Sequence, residues 1–370
     1  MSSIKKGGEG KTFFTLADTN ALKGLAVILM LYHHLFAFPE RLPKGIRFEA
    51  LFEISGISSA YALAVIGKIC VAIFVFLGGY GTYISCTRTE FKRVIIKRAR
   101  RMYDSLWGVF VIFIPLCIAF DVKRVTENYD DLLLNFLGIK TNYNREWWFF
   151  APYLILVALI PLIKKTVDKS KGLIIDISTV CAVALFSEFV FPYLSEVSGL
   201  VEYEKSLIYV LVRNTVKILP GFLGGCVFAK HDLLTKIKRH FSSNTGYSLG
   251  ALIIVCVLVV VRGFTGDSLD YLLVMLFVPS ATVALDSRVG GYVHTLLNKI
   301  GKESTNMWLM HSFFCFYIFP KGIYAPRYTP LIFLWLFAVT FVTSKLLTFL
   351  KKKASLIFYR LNGRFEADKA

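Results

Sequence analysis

A lysine and two adjacent histidines lie within a long apolar segment near the amino terminus. The segment reads Asn20-Ala-Leu-Lys23-Gly-Leu-Ala-Val-Ile-Leu-Met-Leu-Tyr32-His33-His34. In a helix, Lys23 and His34 share one face, about 20° apart around the axis and about 16 Å apart along it. Asn20 lies about 40° from His34, and His33 about 80° away. Because an imidazole exchanges protons near neutral pH, His34 is the first candidate for a catalytic residue. His33 is the second choice, and Lys23 and Asn20 are predicted to act beside them.

A structural interpretation of the same segment carries equal weight on these residues alone. A lysine within a membrane span can extend its ammonium group to the lipid headgroups, and a histidine can lie in an interfacial aromatic belt. Against this, ionisable side chains are costly inside a membrane, and they indicate function by default.

A run of basic residues follows the second apolar segment and provides a candidate anion site. It reads Lys97-Arg98-Ala-Arg100-Arg101-Met-Tyr103. If the run is helical, Arg98 and Arg101 face the same way. Paired guanidinium groups suit phosphate, since each can donate two hydrogen bonds to it. The alternative is that these charges only set the orientation of the chain in a membrane.

The composition predicts that membrane helices position these residues. The chain has 370 residues, of which 55% are hydrophobic and 18% charged, and its mean hydropathy is +0.59. A membrane span takes about 20 mostly apolar residues. We therefore predict an all-α integral membrane protein, a bundle of about ten transmembrane helices, rather than a large soluble domain or a disordered chain. The predicted spans are 18–38, 59–85, 105–120, 146–163, 172–192, 206–229, 246–262, 268–285, 304–320 and 329–350.

The basic residues predict the orientation of the bundle. The net charge is +18, and 27 of the 43 lysine and arginine residues fall on one set of alternate loops and tails. The positive-inside rule then places both termini in the cytoplasm, with tails 1–17 and 351–370 around a single domain that spans 1–370. This distribution argues against nucleic-acid binding. The seven cysteines have no paired spacing, so neither a metal nor a disulfide is predicted.

Further polar residues in the predicted spans allow several interpretations. His311 either lines the same cavity as His34, fixes the His34 ring or packs as a structural histidine between helices, and Ser304 is predicted to line that cavity. Trp148 and its neighbour Trp147 form either an interface anchor, which we favour, or a platform for a sugar.

Charged residues of the sixth span and the loop after the seventh also have two interpretations. Arg213 and Lys217 either line an anionic path or pair with Glu188. Asp267, in the sequence Gly-Asp-Ser-Leu, resembles part of a hydrolase motif, but in a short loop we interpret Asp267 or Ser268 as a helix cap.

Taken together, these segments resemble the acyltransferase family 3 membrane proteins, which are bacterial O-acyltransferases of cell-surface glycans. The resemblance covers the first four spans and the ninth, in the family's order. Lys23-x10-His34 occupies the place of the family's Arg-x10-His. The other matching stretches are Phe74-Val-Phe-Leu-Gly-Gly-Tyr80, Arg98-Ala-Arg-Arg101-Met-Tyr103, Trp148-Phe149-Phe-Ala-Pro-Tyr153-Leu and Ile300-Gly301-Lys302-Glu-Ser304-Thr-Asn-Met-Trp308-Leu-Met-His311. The chain departs from the family pattern at three positions, Asn20 for Asp, Lys23 for Arg and Asp104 for Pro.

The resemblance implies an enzyme of the plasma membrane that transfers an acyl group, most simply acetyl, from acetyl-CoA. The acceptor is a hydroxyl of an extracellular or lipid-linked polysaccharide, and no metal takes part. Arg98, Arg101 and Tyr103 would bind the CoA phosphates with help from Lys23, and His34 would act as base or as acyl carrier. The sequence leaves a competing class, a transporter of a glycan or small anion, which would use the same cations without a CoA site. A third, weaker interpretation is an interacting membrane subunit of a capsule assembly complex.

Overall fold

The computed structural model describes residues 13–54, 56–204, 206–241, 244–286 and 288–367. The predicted tails 1–17 and 351–370 lie partly outside these residues. Within them, the chain is almost entirely helical. The helices are α1 (Leu16–Phe36), α2 (Ser59–Ile66), α3 (Cys70–Cys86), α4 (Phe91–Ala119), α5 (Lys123–Thr126), α6 (Leu132–Phe136), α7 (Phe150–Ala158), α8 (Ile160–Lys169), α9 (Leu173–Leu185), α10 (Phe191–Val197), α11 (Leu207–Lys230), α12 (Leu233–Phe241), α13 (Thr245–Thr265), α14 (Asp270–Ala284), α15 (Arg288–Gly301), α16 (Ser304–Ser312), α17 (Pro320–Tyr324) and α18 (Thr329–Ala367).

Short irregular elements join these helices. Two strands of two residues each, β1 (Glu53–Ile54) and β2 (Ile57–Ser58), pair antiparallel with Glu53 opposite Ser58. The 3₁₀ turns are Pro39–Arg41, Gly67–Ile69, Tyr129–Asp131, Arg145–Phe149 and Leu200–Tyr203, and the π turns are Phe186–Val190 and Phe313–Tyr317.

The helices confirm the membrane-type, all-helical architecture. Six helical segments of the described chain are long and apolar enough to cross a membrane, and a pair of helices bent by 57°, Arg145–Ala158 with Ile160–Lys169, makes a seventh if it counts as one span. The six are Ser59–Cys86, Phe91–Ala119, Leu173–Val197, Leu207–Lys230, Thr245–Thr265 and Thr329–Ala354.

The three other predicted spans are helical but depart from a uniform apolar helix. Helix α1 carries Asp18, Lys23 and two histidines, α14 has only 15 residues, and the nine-residue α16 passes directly into a π turn. Each departure coincides with polar side chains that face other helices.

Three stretches that we predicted as cytoplasmic loops are instead partly helical. Helix α4 starts at Phe91, well before the apolar residues, and α12 and α15 fill most of the other two predicted loops. Likewise, α18 continues past 350 to Ala367 instead of ending in a tail. A search for apolar runs does not detect the start of α4 or helices α12 and α15, because these segments are amphipathic, with one polar and one packed face.

Buried charges connect the amino-terminal turn of α1 to two of these helices. Thr15 and Asp18 form a capping box at the start of α1. The same Asp18 carboxylate accepts hydrogen bonds from Lys238 Nζ at 2.8 Å and from His294 Nε2 at 2.9 Å. Helices α12 and α15 are thereby fixed against α1, which carries the histidine pair.

Glycines let helices α3 and α11 approach each other closely. A methyl group at Gly79 would lie 2.0 Å from the carbonyl oxygen of Phe222, and one at Gly225 would lie 2.0 Å from that of Phe76. Small residues at helix contacts are how membrane helices maximise packing without a hydrophobic driving force. This contact fixes α3, which contributes several residues to the central cavity described below.

We expect Gly225→Ala to destabilise the protein by about 1–3 kcal/mol, the usual cost of overpacking a close contact. Gly250→Ala is the matched control, because no atom of the described residues outside its own helix backbone lies within 4 Å of a methyl group built there. Thermal unfolding in detergent compares the two variants. Equal midpoints would show that the α3–α11 contact is not tight.

Candidate active site

A cavity of about 330 Å³ in the middle of the bundle collects six of the ten predicted site residues. The wall is contributed by α1, α3, α4, α7, α16 and the 3₁₀ turn Arg145–Phe149. The six are Lys23, His33, His34, Arg98, Trp148 and Ser304. Lys23 and His34 both line it, as their shared helix face predicts.

The other four predicted residues lie around this cavity rather than on its wall. Asn20 donates a hydrogen bond to Asn298 Oδ1 at 3.3 Å, a contact between α1 and α15. Tyr103 donates to the carbonyl of Leu137 at 3.0 Å and packs away from the cavity. Arg101 lines a neighbouring pocket, described below, and His311 lies behind His34.

The rings of His34, which is half-buried, and His311, which is fully buried, have centroids 4.7 Å apart. His311 Nδ1 donates to the carbonyl oxygen of Trp308 at 2.6 Å, so the proton of a neutral His311 ring is on Nδ1 and its Nε2 is an acceptor. That Nε2 and the Nδ1 of His34 are both buried without a hydrogen-bond partner among the described residues. Buried polar atoms of this kind are rare, and a catalytic role is one of the explanations for them.

A buried carboxylate that the sequence analysis missed lies next to the histidine pair. Glu146 Oε1 is 4.0 Å from His34 Nδ1 and 2.7 Å from Arg41 Nη2, and its Oε2 accepts a hydrogen bond from Tyr317 at 3.0 Å. Burial by itself lowers the pKa of Arg41, but the Glu146 carboxylate outweighs this and raises it. The sequence feature that could have identified Glu146 was a carboxylate beside two tryptophans at the start of an apolar segment.

His33 has a different environment from His34. Its Nδ1 donates to the carbonyl oxygen of Ala64 at 2.7 Å, which ties the ring to α2. His34 makes no such backbone hydrogen bond among the described residues. The two histidines therefore have different surroundings. His33 is hydrogen-bonded to α2, whereas His34 lies next to the Glu146 carboxylate and the His311 imidazole.

Arg98 connects the central cavity to a basic pocket of about 440 Å³ at the other end of α3. Arg98 and Arg101 both line this pocket, where four guanidinium groups and a lysine gather: Arg88, Arg93, Lys97, Arg98 and Arg101. Arg98 donates to Tyr153 Oη at 3.2 Å, and neither it nor Arg101 has an acidic partner within the described chain. A cluster of cations in which Arg98 and Arg101 are unpaired is suited to an anionic ligand.

The two adjacent tryptophans have unlike positions, and the predicted interface anchor is wrong for the first. Trp147 is fully buried, and its Nε1 donates to the carbonyl oxygen of Leu309 at 2.9 Å. Trp148 lines the central cavity. The two neighbours separate because a 3₁₀ turn directs them to different sides.

The predicted partners of the cations in α11 are also different in the structure. Lys217 pairs with Asp267 at 3.4 Å, and no ion pair joins it or Arg213 to Glu188 in the described residues. Asp267 pairs in addition with Lys68, and α14 starts at Asp270 with no side-chain cap. The interpretation of Asp267 or Ser268 as a helix cap is therefore wrong.

Comparison with known proteins identifies the family of the chain. A family model described as an acyltransferase domain matches residues 16–349, nearly the whole chain. No curated protein and no solved structure matches significantly. The matched region contains both histidines, the arginine run and the ninth predicted span. The chain therefore belongs to acyltransferase family 3, and it is a multi-pass membrane protein of that family.

Proposed function

We propose that this acyltransferase moves an acetyl group from acetyl-CoA, bound at the cytoplasmic side, to a hydroxyl of an extracellular or lipid-linked polysaccharide. One observation carries the proposal. Arg98 lines both the basic pocket and the central cavity that contains His34, so one guanidinium group borders both the candidate anion site and the space in front of the imidazole.

The topology that goes with this function has ten spans, both termini in the cytoplasm and a bacterial plasma membrane as its location. Three helical segments add to the seven apolar ones: α1, α14 and α16 with its π turn. The excess of basic residues on alternate connections supports a cytoplasmic position for the basic pocket.

In this proposal, the basic pocket binds the phosphates of CoA. Guanidinium groups hold phosphate through paired, charge-assisted hydrogen bonds. Arg98 is the member of this group that also lines the central cavity, where Lys23 lies on the same wall, so together they would draw the narrow pantetheine arm inward. Tyr103 and Asn20 contribute indirectly, because each holds a neighbouring helix in place.

His34 then acts as the general base. A proton on its Nδ1, held toward His311 Nε2 and Glu146, leaves Nε2 free to accept a proton from the sugar hydroxyl. The hydroxyl oxygen attacks the thioester carbonyl, a C–O bond forms and the C–S bond breaks. The leaving thiolate takes up the proton from the imidazolium, so the products are the acetyl ester and free CoA. Trp148 and Ser304 line the space in which the sugar would lie.

Binding of acetyl-CoA to the purified full chain tests the donor site. We expect Arg98→Gln to weaken it about 10- to 100-fold, because one charge-assisted contact to phosphate contributes about 1.5–3 kcal/mol. Folding should be retained, since Arg98 has no acidic partner in the described chain. Arg47→Gln, an exposed arginine outside both cavities, is the matched control. Equal affinity of Arg98→Gln and the wild type would contradict this donor site.

A further inference from the structure

A second cavity, of about 400 Å³, lies directly beside the central one. The two share four lining residues, namely Lys68, Val71, Arg145 and Trp148. The rest of the second cavity comes from Ala72 of α3, from Thr141, from α11 and from the loop and first turn around the start of α14. The second cavity is therefore a side chamber that adjoins the central cavity.

The side chamber and the basic pocket contact opposite ends of α3. Val71 and Ala72 face the chamber, whereas Ile84 and Ser85 face the basic pocket. These positions are 13 residues apart, about 20 Å along a helix. The proposed function places the basic pocket on the cytoplasmic side, so the chamber lies on the side from which the acceptor arrives.

Four cationic side chains and two carboxylates line the chamber. The cations are Lys68, Arg145, Arg213 and Lys217, and the carboxylates are Asp267 and Asp270. Both carboxylates are already paired. Asp267 binds Lys68 and Lys217, and Asp270 accepts a hydrogen bond at 3.1 Å from Arg262, which is fully buried behind the wall.

The Asp267 carboxylate stays ionised, and its single negative charge neutralises only one of the two lysine charges beside it. Burial alone raises its pKa, but Lys68 and Lys217 reverse this and lower the pKa to about 2. The chamber thus keeps a surplus of positive charge that its own residues do not neutralise.

Arg145 and Arg213 make up much of that surplus. Both are exposed, and neither has an acidic partner among the described residues. Chain orientation does not explain them, because the positive-inside rule favours few cations on the side opposite the cytoplasm. A surplus of unpaired guanidinium groups in a concave site is an anion-binding arrangement.

We propose that the side chamber binds an anionic group of the acceptor saccharide, a carboxylate or a phosphate, close to the hydroxyl that receives the acyl group. This inference rests on the proposed function for the identity of the acceptor as a saccharide. Arg213 and Arg145 bind the anion, and Asn214 and Thr141 on the same wall offer neutral hydrogen bonds to sugar hydroxyls. Trp148, shared by both cavities, offers an apolar face to a sugar ring.

Equilibrium binding of three matched saccharides to the purified full chain tests the proposal without requiring catalysis. The probes are a glucose tetrasaccharide, the same chain with one glucuronate at its non-reducing end, and the same chain with one phosphate monoester there. We expect at least one anionic probe to bind about tenfold more tightly than the neutral one, and salt to reduce the difference. Arg213→Gln should reduce that ratio of affinities about fivefold, whereas Arg47→Gln should leave it unchanged.

The two anionic probes identify the group. Preference for glucuronate alone assigns a carboxylate, preference for the phosphate probe alone assigns a phosphate, and equal preference assigns negative charge in general. Equal binding of all three probes, no binding of any, or the same loss in Arg47→Gln as in Arg213→Gln overturns the inference. Acetyl-CoA binding is measured separately, so failure of the donor site and failure of the side chamber are distinguishable.

Discussion

The His34→Ala variant should transfer acetyl about 10²- to 10⁴-fold more slowly than the wild type, the range that a general base contributes. A sugar hydroxyl is a poor nucleophile unless its proton is removed as the new bond forms. His34 is the imidazole that lines the cavity beside a second imidazole and a buried carboxylate. Single-turnover transfer from radiolabelled acetyl-CoA measures the rate, and the affinity for acetyl-CoA should change little.

Two other histidines provide the comparison. His33→Ala should lose less activity, because the His33 ring is fixed to the Ala64 carbonyl and its main contribution is to hold α1 against α2. His240→Ala, on the exposed face of α12, should retain full activity. If His33→Ala abolishes transfer while His34→Ala preserves it, the second choice is the catalytic residue and our assignment is wrong.

Replacing Glu146 should affect both stability and rate. Glu146→Ala leaves Arg41 without its ion-pair partner, and breaking a buried pair costs about 3–5 kcal/mol. We expect about 3 kcal/mol, the lower limit, because the Arg41 side chain is 21% exposed. Chemical unfolding in detergent measures this loss.

The effect of Glu146 on catalysis separates a positioning role from a purely structural one. In Glu146→Gln, the side chain keeps its shape but loses the charge near His34, so kcat should fall while the KM for acetyl-CoA stays constant. Tyr317→Phe is the matched control, since it removes a hydroxyl that donates to the same carboxylate, a bond worth about 1.5–3 kcal/mol, and leaves the carboxylate in place. Equal kcat values for Glu146→Gln and the wild type would show that Glu146 only supports the fold.

The helices follow from the sequence because apolar runs of sufficient length have few other stable forms in a membrane. The amphipathic helical segments beside these apolar runs do not follow from the sequence in this way. Helix α15 has a polar face and a packed face, and its contact with α1 depends on Gly24 and Gly301, which become informative only when the two helices meet.

The candidate site likewise has a part that the sequence predicts and a part that it does not. Lys23 and His34 lie on one helix, so their common face was predictable from the helix period alone. His311 and Glu146 are 277 and 112 residues away from His34 in the sequence, and only the packing of three separate elements brings them next to it. Long-range ion pairs such as Asp18 with Lys238 were beyond prediction for the same reason.

The O-acetyl content of the cell-surface polysaccharide, measured by NMR, tests the central claim most directly. The comparison uses a strain that lacks the gene and the same strain complemented with wild type or with His34→Ala. We expect acetyl ester signals to disappear on deletion, to return with the wild type, and to stay absent with a well-expressed His34→Ala protein. Unchanged acetylation on deletion would contradict the claim, and a polysaccharide that no longer reaches the surface would favour a transporter instead.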